Sequence, residues 1–156
     1  MQLASAPLGE LSGHEAGRRL LKKMYEQYTG KPMPDILTEK LGKPYFADKS
    51  LHFSISHTKR RVFCAISQAP IGIDAEERDR DIDLRLSEKI LSESEKRRYE
   101  KAENKQETLL RFWVLKEASA KLTGRGLGKT CWNTDFSPDD PRITVTDNCY
   151  LAIIEE

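Results

Sequence analysis

The segment Ile71-Gly72-Ile73-Asp74-Ala75-Glu76 says most about how this chain folds and what chemistry it can do. Its apolar residues favour a β-strand, which the charged stretch from Glu77 to Asp83 brings to an end. Residues two apart on a strand point to the same side of a sheet, so Asp74 and Glu76 place two carboxylates on one face. Carboxylate oxygens suit Mg²⁺, which completes its coordination with waters and substrate phosphate oxygens. The alternative is an ordinary strand end in solvent, where Asp-x-Glu is common.

The strongest helix pattern runs from Glu107 to Leu122. Its apolar residues recur at helical spacing, its interior has neither Gly nor Pro, and Gly124 is placed to end it. Glu117 and Lys121 are four residues apart and therefore lie on one face of the helix. Taken alone, they form an ordinary surface ion pair worth some tenths of a kcal/mol. In a functional site, Glu117 would instead join the strand carboxylates while Lys121 meets a phosphoryl oxygen.

The rest of the chain combines helices with short strands. A capping box at Ser12 starts a first helix, and Gly30 ends it. Alternation over residues 51–55 and the apolar run 62–66 predict a strand pair, and residues 143–154 predict a closing hairpin. Further helices are predicted at Leu84–Leu91 and from the capping box Ser92–Glu95. This order predicts an α+β protein, because it lacks the βαβ rhythm of a parallel sheet.

The composition is that of a soluble globular protein. The 156 residues are 38% hydrophobic and 33% charged, which argues against disorder and against a fibre. A net charge of +1 gives no overall attraction to nucleic acid, and no apolar run approaches the roughly 20 residues that cross a bilayer. We therefore expect a cytoplasmic protein without nucleic-acid or membrane partners. Cys64, Cys131 and Cys149 lack metal-site spacing and are expected to be buried free thiols.

A third candidate site is Ser56-His57-Thr58, at the end of an alternating strand. Its hydroxyl and imidazole could both meet a phosphate, but no Ser/His/Asp order indicates a catalytic triad. A single histidine at such a junction is about as often merely solvated. Lys43 and Arg18 add positive charge nearby in the sequence, and for them too a solvated surface position is the alternative.

In this order, the segments resemble the motif series of the 4′-phosphopantetheinyl transferase superfamily, in particular its surfactin-type branch. The helix segment Ala16-Gly17-Arg18-Arg19-Leu20-Leu21 resembles the one that precedes the series in that family. The series itself consists of Gly42-Lys43-Pro44, Phe53-Ser54-Ile55-Ser56-His57-Thr58, Gly72-Ile73-Asp74-Ala75-Glu76, Leu91-Ser92-Glu93-Ser94-Glu95, Trp113-Val114-Leu115-Lys116-Glu117 with Lys121, and Gly124-Arg125-Gly126-Leu127.

The resemblance implies the family's fold, in which antiparallel sheets pack with helices in a pseudo-twofold arrangement. Here the N-terminal half is expected to be truncated. Residues 1–68 would form the truncated N-terminal subdomain, with a helix, a strand pair and coenzyme A contacts. Residues 69–156 would form the metal-binding and catalytic subdomain, and the two would make one compact unit.

The resemblance also implies a reaction. The 4′-phosphopantetheine arm of coenzyme A would pass to a serine of an apo acyl or peptidyl carrier protein, with release of adenosine 3′,5′-bisphosphate. Mg²⁺ would be held by Asp74, Glu76 and Glu117; Lys121 would stabilise the leaving phosphate, and Glu117, directly or through a water, would take the serine proton. Glu95 is expected to be structural, because its capping box accounts for it. Contacts to coenzyme A are assigned to Arg18, Lys43, Ser56, His57, Lys116 and Lys121.

The chain departs from surfactin-type members in its length. The first strand and the basic segment before the first helix are expected to be missing, which would weaken the pocket for the 3′-phosphate. A face left uncovered could be buried by a second subunit, so we expect a monomer or a small homo-oligomer. Two alternatives stay open: an impaired relic that only binds coenzyme A or a carrier protein, and a Mg²⁺-dependent nucleotide phosphohydrolase.

Overall fold

A computed structural model describes residues 1–126 and 134–156 of the chain. Its elements are, in chain order, β1 (Gln2–Pro7), α1 (Gly13–Thr29), β2 (Ile36–Thr38), β3 (Pro44–Phe46), β4 (His52–His57), β5 (Arg61–Ser67), β6 (Ile71–Glu77), α2 (Ser87–Ile90), α3 (Glu93–Lys101), α4 (Lys105–Thr123), β7 (Ile143–Thr146) and β8 (Cys149–Glu155). A 3₁₀ turn at Leu84–Leu86 leads into α2. Among the described residues, no helix is long and apolar enough to cross a membrane.

Two three-stranded antiparallel sheets form the centre of the molecule, in the strand orders β1-β5-β4 and β6-β8-β7. Side chains alternate along β5, so Phe63 faces the second sheet while Cys64 faces α1. Along β8, Leu151 faces the first sheet while Tyr150 faces α4. The layers are therefore helix, sheet, sheet, helix, and each half has one long helix on one sheet. This arrangement confirms the predicted α+β fold.

A strand precedes the first helix, contrary to the expectation from sequence. β1 pairs with β5 along its whole length, from Gln2 opposite Ile66 to Pro7 opposite Arg61. The strand was missed because its Ala, Ser and Pro residues have little intrinsic β-propensity. The tertiary pairing with β5 supplies what local propensity lacks. The division of the chain into residues 1–68 and 69–156 stays a prediction.

The two sheets meet where β4 lies beside β6. The backbone N–H of Ile73 donates to Ser54 Oγ at 3.0 Å, and that of Ala75 donates to Ser56 Oγ at 3.1 Å. Serine hydroxyls thus satisfy N–H groups on one edge of β6, whereas β8 pairs with the other edge. Buried backbone donors require such partners, which explains why hydroxyl residues alternate with apolar ones on β4.

α4 packs unusually close to β6, and Gly72 makes this possible. A Cβ atom at this position would lie 2.1 Å from Ala118 O and 2.4 Å from Leu122 N. Any other residue would therefore push the helix away from the strand. The close approach sets the spacing between the side chains of β6 and those of α4.

The local start and stop signals are confirmed. Capping boxes open α1 at Ser12 and α3 at Ser92, and left-handed glycines at positions 30 and 124 follow α1 and α4. The closing hairpin turns at Asp147 and Asn148, with φ values of 49° and 61°. Helix α4 begins two residues before the predicted start, after the N-cap Asn104. Cys64 and Cys149 are buried free thiols, whereas Cys131 and Leu127 lie outside the described residues.

Candidate functional site

The strand carboxylates face α4, and a lysine of that helix reaches them. Lys121 Nζ donates to Asp74 Oδ1 at 2.8 Å and to the carbonyl oxygen of Ile55 on β4 at 3.3 Å. The lysine therefore joins the helix to both sheets. Among the described residues, Glu117 takes part in no salt bridge, so the simple surface pair with Lys121 does not form. The helical spacing is as predicted, but the partner of the lysine is on the strand.

Asp74 is almost completely buried, and its two carboxylate oxygens differ. Oδ1 accepts hydrogen bonds from Ser56 Oγ at 2.9 Å and from Lys121. Oδ2 is buried and accepts none from the described residues. An unsatisfied buried carboxylate oxygen is costly, which points to a further positive or hydrogen-donating partner at this place.

The neighbouring carboxylates have raised pKa values. Burial, together with the charge of Asp74, raises the pKa of Glu76 to about 7, although Arg80 and Trp113 act in the opposite direction. Burial and Asp74 also raise the pKa of Glu117. Each shift shows that negative charge is crowded into a poorly solvated space. A cation in this space would relieve the repulsion.

The donor set of this cluster fits a hard divalent cation. It offers carboxylate oxygens only, it includes the unsatisfied Oδ2 of Asp74, and its members repel one another. In the described part of the chain, no three His, Cys, Asp or Glu side chains already converge on a metal position. Lys121 and Arg80 neutralise the strand carboxylates instead. Mg²⁺ needs only a few protein carboxylates when a substrate supplies phosphate oxygens, so this arrangement is compatible with such a site.

Two cavities border the carboxylate cluster. A cavity of about 250 Å³ is lined by Lys43, Phe53, Glu117 and Lys121, among others. A second, of about 740 Å³, has Glu76 in its wall. The cluster therefore opens on two sides, with two lysines in the wall of the smaller cavity. The cationic and imidazole groups around the larger cavity are those of His57, Lys59, Arg60 and Arg80.

The other predicted phosphate ligands are spread over different places. Lys43 Nζ donates to the carbonyl oxygen of Leu122 near the end of α4, and burial lowers the pKa of this lysine. His57 lies against Gly13 at the start of α1, where a Cβ would be 2.4 Å from the imidazole Cγ. Arg18 is half-buried on α1 and does not belong to the lining of either cavity. The structure thus brings Lys43 to the smaller cavity, His57 to the larger one and Arg18 to neither.

Ser56 is placed as a support for Asp74, and its predicted contact with coenzyme A stays a prediction. The hydroxyl is 4% exposed, and its only hydrogen goes to Asp74 Oδ1. Its oxygen accepts the backbone N–H of Ala75. A serine hydroxyl has one hydrogen to donate, and here that hydrogen is already used.

Lys116 is buried in this structure, and its predicted contact with coenzyme A stays a prediction. Its Nζ lies 2.7 Å from Glu95 Oε2 with both side chains 0% exposed, and it donates to Thr134 O at 3.0 Å. Glu95 also accepts the backbone N–H of Phe136 at 2.9 Å, so the capping box does not account for it fully. The spacing of Lys116 along the helix could have indicated this burial. Lys116 lies four residues from Phe112 and from Ala120, and these two residues are buried on the same face of α4.

Sequence reasoning missed two residues of the site. Arg80 forms a salt bridge with Glu76, and its guanidinium lies 5.6 Å from the ring centre of Trp113. Trp113 Nε1 donates to Glu76 Oε1 at 3.2 Å. Arg80 lies in a charged stretch without periodicity, and Trp113 is part of a motif segment but is assigned no contact with the strand carboxylates by the sequence. No local pattern indicates that either reaches the strand carboxylate.

The chain is similar to known proteins of one family. The model of the 4′-phosphopantetheinyl transferase superfamily matches residues 70–152, which contain the strand and helix of the site. The chain is 38% identical over 115 residues to the 4′-phosphopantetheinyl transferase gsp of Aneurinibacillus migulanus, which covers 71% of this chain and 48% of that protein. It is 35% identical over 116 residues to psf-1 of Bacillus pumilus, with 71% and 49% covered. For Sfp of Bacillus subtilis the identity is 34% over 93 residues, with 58% and 41% covered.

The chain spans about half the length of the curated relatives that it matches. The family model nevertheless covers more than half of the chain, and the matched residues include β6, α4 and the carboxylates of the cluster. The chain belongs to the 4′-phosphopantetheinyl transferase superfamily.

Proposed function

We propose that this protein transfers the 4′-phosphopantetheine arm of coenzyme A to a serine of an apo acyl or peptidyl carrier protein. The observation that carries the proposal is the half-satisfied carboxylate of Asp74 beside a cavity with two lysines. Positive groups must hold the oxygens of a pyrophosphate and offset the charge that develops in transfer. The lysines would do this directly, and the carboxylate would do it by holding a cation. The three relatives described above are named 4′-phosphopantetheinyl transferases.

The cluster of Asp74, Glu76 and Glu117 would hold Mg²⁺. When bound, the ion would neutralise negative charge on the pyrophosphate of coenzyme A. The support for this assignment is the unsatisfied oxygen of Asp74 and the raised pKa values of Glu76 and Glu117.

Lys121 is the residue we assign to the leaving phosphate. Its ammonium is fixed by Asp74 and by a backbone carbonyl, yet the side chain is 32% exposed and lines the smaller cavity. A fixed cation at the edge of a cavity costs little reorganisation when negative charge develops on a phosphate oxygen. Lys43 lines the same cavity and would hold a second oxygen.

Glu117 would accept the proton of the carrier serine. As the serine Oγ forms its bond to the β-phosphorus, the bond from that phosphorus to the bridging oxygen breaks, and adenosine 3′,5′-bisphosphate leaves. Glu117 would take the proton directly or through a water, since a positioned carboxylate within reach of the hydroxyl can act as a general base. Its position in the wall of the smaller cavity puts the base on the same side as Lys121.

His57 keeps its proposed contact with a coenzyme A phosphate, from the larger cavity. Because Lys43 lines the other cavity, the two residues would meet different phosphates. For Arg18 the proposal has less support, since it lines neither cavity, and its contact would need a phosphate that extends towards α1.

Intact-mass measurement of several apo carrier proteins, incubated with this protein, coenzyme A and Mg²⁺, tests the proposal. We expect one phosphopantetheine to be added by the natural protein and by the exposed control variant Glu100→Gln. We expect none from Glu117→Gln or Asp74→Asn. Coenzyme A binding without transfer to any carrier would favour the binding module, and cleavage of coenzyme A without a carrier would favour the phosphohydrolase; either result contradicts the proposal.

A further inference from the structure

Arg80 is held against the carboxylate cluster from several sides. Its guanidinium pairs with Glu76 and stacks over Trp113, whose own N–H donates to the same carboxylate oxygen, Oε1. Its backbone carbonyl accepts a hydrogen bond from Gln106 Nε2 at 2.9 Å, and its backbone N–H donates to Glu77 O at 2.9 Å. Immobilising a long side chain costs conformational entropy. An arginine in a charged surface stretch is therefore not expected to be held by this many contacts without a reason.

The neighbouring acidic residues do not explain this position. Glu77 and Asp79 flank Arg80, but both pair with Arg60, at 3.6 Å and 3.2 Å. Arg80 instead turns to Glu76, whose side chain is 17% exposed. Arg80 therefore pairs with Glu76, the carboxylate that faces the site, whereas the surface residues Glu77 and Asp79 pair with Arg60.

The two strand carboxylates are neutralised in the same way. Asp74 uses Oδ1 for Lys121 and Ser56, and Glu76 uses Oε1 for Arg80 and Trp113. Among the described residues, neither Asp74 Oδ2 nor Glu76 Oε2 accepts a hydrogen bond. Each carboxylate thus has one oxygen held by an internal cation and one oxygen left for another ligand.

We propose that Arg80 is a positioning residue that neutralises Glu76 in the metal-free protein and competes with the divalent cation for this carboxylate. The inference rests on the proposed function, because it takes Glu76 as part of the metal site. The guanidinium would weaken metal binding through like-charge repulsion and by holding Glu76 Oε1, which leaves only Oε2 for the cation. Coenzyme A would reverse this effect, because its pyrophosphate adds ligand oxygens and negative charge. Metal and coenzyme A would then bind cooperatively, and this coupling must be reciprocal.

The test measures Mn²⁺ binding to the metal-free full chain by electron paramagnetic resonance, without coenzyme A and then with it. Without coenzyme A, we expect Arg80→Met to bind Mn²⁺ about two- to fivefold more tightly than the natural protein, the range of one partly exposed ion pair. Arg80→Lys should stay close to the natural protein because it keeps the charge. Arg78→Met is the matched control, since Arg78 is an exposed neighbour that contacts Tyr150 instead of the cluster. The gain in Mn²⁺ affinity on adding coenzyme A should be smaller in Arg80→Met.

Thermal unfolding gives a second readout. Metal-free Arg80→Met should melt below the natural protein, because Glu76 loses its partner, and saturating Mn²⁺ should raise its Tm by more than it raises that of the natural protein. If Arg80 only stabilised the structure of the site, Arg80→Met would bind Mn²⁺ more weakly than the natural protein, which is the opposite of the expected change. Equal or weaker binding in Arg80→Met, with Asp74→Asn clearly impaired, overturns the inference and leaves the proposed function intact. If the natural protein and Asp74→Asn bind Mn²⁺ alike, the metal site and the inference both fail.

Discussion

Two lysines of α4 pair with carboxylates, and the pairs differ in how completely they are satisfied. Lys116 and Glu95 are both 0% exposed, and further hydrogen bonds to Thr134 and Phe136 surround them. The pair of Lys121 and Asp74 is partly open, with the lysine 32% exposed and one buried oxygen unsatisfied. A closed pair has no bonding capacity left for a ligand, so it holds α3 to α4.

The open pair retains such capacity. Its cation lines a cavity and its carboxylate has a free oxygen, so both members can bind something that is not part of the chain. Both lysines lie in the helix segment that resembles the family motif, and Lys121 is the one in the wall of the smaller cavity. Burial and hydrogen-bond satisfaction separate the two roles, whereas residue type does not.

The largest effect should come from breaking the closed pair. Lys116→Met leaves Glu95 charged and without its partner in the core, and we expect a loss of about 3–5 kcal/mol in the free energy of unfolding. Urea denaturation measures this loss. The double variant Lys116→Met, Glu95→Gln should recover much of it, because the unpaired charge is gone. A loss below about 1 kcal/mol in the single variant would mean that the pair is not closed.

Breaking the open pair should affect chemistry more than stability. Lys121→Met should lower kcat by about 10²-fold or more, since the leaving phosphate loses its cation. It should cost about 1–3 kcal/mol of unfolding free energy, less than Lys116→Met, because the lysine side of this pair is open to water although Asp74 is buried. Lys22→Met is a matched control, as Lys22 is an exposed lysine paired with Glu26 at helical spacing. Similar kcat values for both variants would argue against this role.

The distance between β6 and α4 can be altered through Gly72. Gly72→Ala introduces a Cβ that meets the backbone of α4, and we expect a loss of about 1–3 kcal/mol in stability. The helix must shift, so Mn²⁺ affinity and kcat should fall together. Crystallography of the variant would show whether Lys121 still reaches Asp74. An unchanged contact with full activity would mean that the close packing does not matter for the site.

The last effect concerns the dependence of stability on pH. The pKa of Glu76 is raised to about 7 in the folded protein, so the folded state binds a proton more tightly than the unfolded chain does. In metal-free protein, stability should therefore fall as the pH rises from about 5 to 8, by about 2 kcal/mol, because the ordinary pKa of 4.5 applies only to the unfolded chain. Urea denaturation of Glu76→Gln should give a flatter profile over this range. Equal pH profiles for the two proteins would show that Glu76 is not destabilised by its neighbours.

Much of the fold follows from local sequence signals. The capping boxes at Ser12 and Ser92, the stop at Gly124 and the strand that carries Asp74 are all set by residues close in sequence. β1 could not be predicted in this way, since its stability depends on the backbone of β5. Strand and helix periodicity also placed the carboxylates and Lys121 on the correct faces.

The partners of the site residues could not be derived from periodicity. Lys121 pairs with Asp74 on a strand far away in the sequence, and Arg80 meets Trp113 in the same manner. Lys116 and Lys121 have the same chemistry in the sequence. The helical spacing of Lys116 indicates a buried face, but only the packing of α3 shows that its partner is Glu95. Such contacts depend on tertiary packing, which spacing along one element does not record.

The most direct test combines transfer and stability in the same samples. Phosphopantetheine transfer to an apo carrier protein and the urea midpoint would be measured for the natural protein, for Lys121→Met, and for the double variant Lys116→Met, Glu95→Gln. We expect the double variant to retain transfer and Lys121→Met to lose it while both remain folded. Transfer that survives in folded Lys121→Met would contradict the central claim that the open pair on α4 is the chemical one.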